Sequence, residues 1–149
     1  MSFFKDKENG QDEIAEDTAE EALTCRLEWL DQAEDGGFAE GVVRIMVAVA
    51  HADVILNRKV LAAYRQITAA DDRLGRLTIE EFKHLIRQQS CILHADRDKA
   101  LTALKKLIPD PRDREKALDI ARQVAMADAV LIDEEKELLH RIQDILNVN

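Results

Sequence analysis

Asp53 and Asp128 hold the same place in two related heptapeptides, Ala50-His51-Ala52-Asp53-Val54-Ile55-Leu56 and, 75 residues on, Ala125-Met126-Ala127-Asp128-Ala129-Val130-Leu131. Each aspartate closes a strongly apolar helical stretch. The last turn of a helix carries unsatisfied carbonyls and partial negative charge, so an acid there requires a cation or a hydrogen-bond donor. Seven residues after Asp128, Glu135 falls on the helical-wheel stripe of Leu138, Leu139 and Ile142, which turns a second carboxylate inward. Two chemistries satisfy such groups. Oxygen donors suit a hard cation such as calcium or magnesium. Backbone N–H groups of the following linker serve equally, with the aspartates as Asx-type caps and Glu135 bonding across the core.

Two Glu-x-x-His pairs, Glu81/His84 and Glu137/His140, match the ligand spacing of a ferritin-like di-iron carboxylate enzyme. Iron ligands must point into the bundle, whereas both pairs lie off the apolar stripes, which are Ile79, Phe82, Ile86 and Leu138, Ile142, Ile145. Glu81 also completes a capping box with Thr78. The twelve residues from Ala70 to Glu81 hold the glycine, apolar residue and glutamate of a calcium loop, but lack an acid at the first position, Ala70, and an oxygen ligand at the fifth, Leu74, and read as a turn followed by the capping box. His51 and His94 each precede Ala-Asp without a second His-Asp pair at a phosphohydrolase spacing. No glycine-rich phosphate loop, nucleophile elbow or Ser-His-Asp set is present in the sequence, and the chain is expected not to be an enzyme.

The elements that must place these residues are helices. Residues 1 to 12 lack periodicity and are expected to be mobile, with residues 13–149 forming a single domain. Helical spacing runs from Glu13 to Ala33, where Gly36-Gly37 stop it, and again from Phe38 to Ala52, almost without a polar face, as a central helix requires. Further helices are predicted at Arg58 to Ala69, Ile79 to Cys91, Asp96 to Ile108, Asp110-Pro111 to Ala127, and Glu134 to Leu146 with Asp133 as cap. The expected class is all-α, about seven helices. At the 75-residue offset Ile45 pairs with Ile120, Val49 with Val124, and Ile67 with Ile142, which predicts two helical hairpins related by a pseudo-twofold axis in a compact bundle.

Composition agrees: aromatics are 4%, Gly and Pro number 5 and 2, and 149 residues suffice for one core. The net charge of −9 is concentrated at the start, where residues 1–40 hold 13 acids against 3 bases, while the remainder holds 17 against 18. No basic surface for nucleic acid emerges. The acidic run alone reads as a solvated face. Cys25 and Cys91 form no CxxC motif and are read as separate buried thiols in a reducing compartment. No secretory segment or membrane-spanning run is seen, so a cytoplasmic protein is expected.

The helix-junction pattern Ala-Asp-Gly-x-Ile-Asp-x-x-Glu, given twice per chain, resembles the TerB-like domain of tellurite-resistance proteins over about Phe38 to Leu146, and Met1-Ser2-Phe3-Phe4 is also similar. The resemblance implies an all-helical pseudo-symmetric domain of tellurite and general stress resistance, able to take divalent metal and without enzymatic activity. By position, Asp128 and Glu135 stand for the first aspartate and the glutamate of the pattern, and Asp53 for the first aspartate of the other copy. The pattern's glycine is Val54 in one copy and Ala129 in the other; the second aspartate is Asn57 or, displaced by one, Asp133; the first copy's glutamate is Val60. The metal set so implied is Asp128, Asp133 and Glu135 with Asp53 facing them. A role as a protein-interaction or sensing module follows, with protein partners, including a membrane-associated tellurite-resistance complex, and no direct membrane insertion. A structural partner domain without a ligand is the other non-enzymatic reading.

Overall fold

The computed structural model describes residues 25–50, 59–125 and 132–148. Its elements, all helical, are α1 (Leu27–Leu30), α2 (Phe38–Ala50), α3 (Val60–Ala70), α4 (Ile79–Ala95), α5 (Arg97–Thr102), α6 (Leu104–Leu107), α7 (Pro111–Ala125) and α8 (Asp133–Leu146). Among the described residues no helix is long and apolar enough to cross a membrane.

α2 is the axis of the bundle. Val42, Val43, Ile45, Met46 and Val49 are wholly buried, and each such side chain contributes about 1.5–3 kcal/mol relative to exposure. The helix packs most extensively on α7 and next on α4. Gly41 permits the approach of the α6 end, since a Cβ there would lie 2.5 Å from Ile108 Cδ1.

The repeat is realised as an interlocked pair. α3 packs on α7 and α8 packs on α2, so the second helix of each copy lies against the first helix of the other. The paired positions are core positions: Ile45 and Ile67 are 0% exposed, as is Ile142, and Ile120 is buried with them.

Helix boundaries follow local chemistry where caps are strong. Thr78 Oγ1 accepts the Glu81 N–H at 3.1 Å and Glu81 Oε1 accepts the Thr78 N–H at 2.8 Å, closing the predicted box. Asp110 Oδ1 accepts the Arg112 N–H, placing Pro111 in the first turn of α7 as expected. α4 runs on to Ala95, four residues beyond prediction, because nothing breaks it before Asp96, which caps α5 through the Lys99 N–H. The helix predicted over Asp96 to Ile108 is divided at Ala103. Thr102 Oγ1 donates back to the carbonyls of Asp98 and Lys99, a local bond that competes with continued helix.

The first predicted helix is corrected within the described residues: only Leu27–Leu30 is helical, and residues 13–24 lie outside them. Cys25 and Arg26 precede α1 in non-helical backbone, and the Ala33 carbonyl is taken by Arg44 Nη1 at 2.7 Å, away from any helical ladder. The thiols are corrected as well. Cys25 and Cys91 are joined by a disulfide with Cα atoms 5.4 Å apart. Closing a loop across 66 positions constrains the unfolded chain by on the order of 4 kcal/mol.

Arg44 is 0% exposed at the middle of α2. Its Nε donates to Gln89 Oε1 of α4 at 2.7 Å, and Nη1 donates to Ala33 O and, at 2.8 Å, to Ala100 O of α5. Burial lowers its pKa to about 10, opposed by the field of Glu40, so it stays cationic at neutral pH. A second polar tie lies at the α3–α4 turn. Asp71 Oδ1 accepts the Arg73 N–H at 2.7 Å, its carboxylate takes the Arg73 guanidinium and Lys116 Nζ at 2.7 Å, and Arg73 continues to Asp113 of α7. The same guanidinium lies 3.8 Å from the Phe38 ring centroid. These bonds, led by that from Arg73, hold the Asp71 carboxyl far below the usual carboxylate range.

Arg44→Ala strands three acceptors and opens a cavity, and is expected to cost roughly 3–5 kcal/mol in urea unfolding, with Arg44→Met, which fills the space, costing about half as much. A loss under about 1 kcal/mol for Arg44→Ala would refute its role. For Asp71, a folded-state pKa depressed from 3.8 stabilises the fold at every pH above that value. That stability drains as pH falls through the folded pKa. Asp71→Asn should therefore flatten the stability profile below pH ~4 and cost about 1–2 kcal/mol at pH 7, a modest figure because Arg73 and Lys116 are half exposed.

Candidate functional site

The predicted carboxylates divide into two groups. Asp53 and Asp128 lie outside the described residues, as does His51. Asp133 and Glu135 are described and stand together in the first turn of α8, where the macrodipole favours negative charge.

Their roles differ from the expected ones. α8 begins at Asp133 itself, and the cap position falls to Ile132, which has extended backbone and no side-chain oxygen to offer. Asp133 is thus not the cap. Glu135 Oε1 accepts the Ile132 N–H at 3.0 Å, so this glutamate satisfies a local backbone donor and does not bond across the core. The bond is one half of a capping box, made by the residue at the third helical position. Among the described residues no group of three or more His, Cys, Asp and Glu side chains converges. Two carboxylates are a partial set for a cation that takes six to eight oxygens.

Beside this turn lies an open cleft of about 380 Å³, lined by Ala48 and Val49 at the end of α2, Arg97 of α5, Ile132, and Glu134, Glu135, Glu137, Leu138 and Arg141 of α8. Its floor is apolar and its rim charged. Ile132 is 52% exposed, although its size suits burial. The two rim guanidiniums are engaged: Arg97 Nη2 donates to Ala48 O at 3.3 Å, and Arg141 pairs with Asp98. A guanidinium on a late carbonyl of α2 answers the negative end of that helix. Sequence reasoning passed over Arg97 and Arg141. Arg97 meets its carbonyl across 49 positions, with no local pattern to mark the pair.

The remaining candidates are surface features. Glu81 and His84 are exposed, Glu81 holding the Thr78 N–H and His84 set edge-on to Trp29 with ring centroids 5.4 Å apart. Glu137 and His140 are exposed on α8, and His94 is exposed at the end of α4. Neither Glu-x-x-His pair points into the bundle, as iron ligands must. The Asp71 carboxylate, second in the Ala70–Glu81 stretch that resembles a calcium loop, is taken up by Arg73 and Lys116. A second groove along α7, lined by Arg112, Glu115, Lys116, Asp119 and Arg122, alternates in sign and concentrates neither charge.

An "Uncharacterized protein in ackA 5'region" of Rhizobium meliloti is 29% identical over 115 residues, 76% of this chain and 16% of that protein. The chain thus aligns with less than a fifth of that relative's length. No solved structure matches. Residues 39–149, from the second residue of α2 through α8, match the sequence profile of the family described as tellurite resistance protein TerB. The interlocked helical repeat is therefore a TerB domain, and the chain belongs to the TerB family.

Proposed function

We propose that this TerB domain acts in tellurite and stress resistance as a protein-interaction or sensing module, without catalysis, and that the surface it uses is the helix-junction end. The observation that carries this is the cleft between α2 and α8: an apolar floor of Ala48, Val49 and Leu138, an exposed Ile132, and a rim of both charges. Such a surface suits a partner's apolar side chain framed by salt bridges. The match to the Rhizobium meliloti protein supports modular use, because the matched stretch is a small part of a longer chain.

A divalent cation, calcium or magnesium, tunes this surface by binding Asp133 and Glu135, with Asp128 and Asp53 completing the set. The two described ligands stand on one helical turn that borders the cleft, so cation occupancy changes the charge a partner meets. Calcium bound there competes with the Ile132 N–H for the Glu135 carboxylate.

Titration of the full chain with calcium, followed by 1H–15N spectra, should shift the amides of Ile132 to Glu135 along a saturating curve at millimolar metal or below. The pair Asp133→Asn and Glu135→Gln should abolish it. Amides that stay in place at millimolar metal would rule out the cation part of the proposal.

A further inference from the structure

The segment from Cys25 to Asp35 lies as a strap against α4, and its construction is that of a part that can be released. Its outer end is covalent, through the disulfide to Cys91. Its inner end is Gly36-Gly37: Gly36 sits at φ +121°, a conformation other residues rarely adopt, and a Cβ at Gly37 would meet nothing within 4 Å. Between these ends the strap buries Trp29 and Ala33, while Leu27 is 83% exposed. Its noncovalent ties are one buried bond at the inner end, Arg44 Nη1 to Ala33 O at 2.7 Å, and, further out, Gln88 Nε2 to Gln32 Oε1 at 2.9 Å, the edge contact of Trp29 on His84, and Lys106 to Glu34 at 3.0 Å, both partners of the last being half exposed or more. Exposed ties of this kind are individually weak. Of the strap's residues Ala33 alone belongs to the main apolar core, so the part before it lies outside that core.

We infer that the Cys25–Cys91 disulfide is a redox clasp: a dithiol reductant opens it, and residues 25–32 then swing off α4, with Ala33 held by Arg44 as the pivot, and bare the face of His84, Gln88 and Cys91. Cys25 is partly exposed and Cys91 is 1% exposed, so attack falls on Cys25 Sγ. The reductant's thiolate forms a bond to that sulfur, the S–S bond breaks, and the electron pair leaves on Cys91 Sγ, which takes a proton. The second thiolate of the reductant then attacks its own sulfur in the mixed disulfide. Its internal disulfide forms, and Cys25 departs with the pair and takes the second proton. Two electrons and two protons pass from dithiol to protein, and an oxidised dithiol reverses every step.

Trp29, the sole tryptophan, lies in the strap and reports its position. The full chain is equilibrated in buffers of reduced and oxidised dithiothreitol at varied ratio, and thiols are counted by alkylation and mass. Opening of the clasp should shift Trp29 emission to the red and raise chymotrypsin cleavage within the strap at least tenfold, with far-UV circular dichroism retained and all changes reversed by oxidation. Cys25→Ser should show the released signature without reductant; should it fail to fold, wild-type protein reduced and then alkylated carries the same test. The inference is overturned if two thiols appear while Trp29 emission and cleavage are unchanged, since the noncovalent ties then suffice. Resistance of the bond to a large excess of dithiothreitol, or loss of helix on its opening, overturns it equally, making the disulfide a permanent staple.

Discussion

A guanidinium enclosed in the middle of the most apolar helix is the constraint on which the packing around α2 depends. Arg44 is bonded to a carboxamide and two backbone carbonyls, with no carboxylate among its hydrogen-bond partners, and its Nη2 has no partner among the described residues. A cation so placed forfeits hydration worth several kcal/mol and recovers it only if every acceptor stays within bonding reach. Gln89, Ala33 and Ala100 must therefore converge on α2, which fixes α4, the strap and the start of α5 to one another. Arg114 acts likewise at the opposite end, donating to the carbonyls of Ile108, Lys105 and Leu146 where α6 and α8 finish. In both places a planar, multiply donating side chain gathers carbonyls that the helical ladder leaves over.

Arg44 also explains why a duplicated pattern yields an unequal structure. Its counterpart at the 75-residue offset is Asp119, whose side chain is 67% exposed. α2 packs on α4 and α6 and is bonded through Arg44 to the strap and α5, whereas α7 keeps a solvated face of Arg112, Glu115, Lys116 and Asp119. The junctions differ in the same sense. Val60 packs against the core where its counterpart Glu135 turns to the Ile132 N–H. One copy is enclosed, and the other is exposed and acidic at its start, which is why the α8 end carries the binding proposal.

Much of this was legible in the residues. Thr78 and Glu81, Asp110 and Pro111, and the turn at Asp71 act within three or four positions, so their types suffice to place a helix end. The apolar run of α2 announced a surrounded helix, and the offset pairing of Ile45 with Ile120 and Ile67 with Ile142 marked core positions. The candidate site was legible only as composition. That Glu135 stands in the first turn of α8 could be read; that the helix begins at Asp133 with Ile132 in the cap position, that Glu135 spends an oxygen on Ile132, and that Arg97 and Arg141 rim the neighbouring cleft, could not. Their partners are chosen by rotamer and by helix–helix placement.

The sequence by itself determined the helical class, the central place of α2, the capping of α4 and α7, and the family, because periodicity and caps are local and a repeat is visible without coordinates. Only the tertiary structure decided that Cys25 meets Cys91, that Arg44 is buried on carbonyls 11 and 56 positions away, and that α3 and α8 each pack on the other copy's first helix. The physical reason is the same in each case. These are contacts between groups remote in sequence, whose energies depend on distance and dehydration set by the whole bundle and not by neighbouring residues.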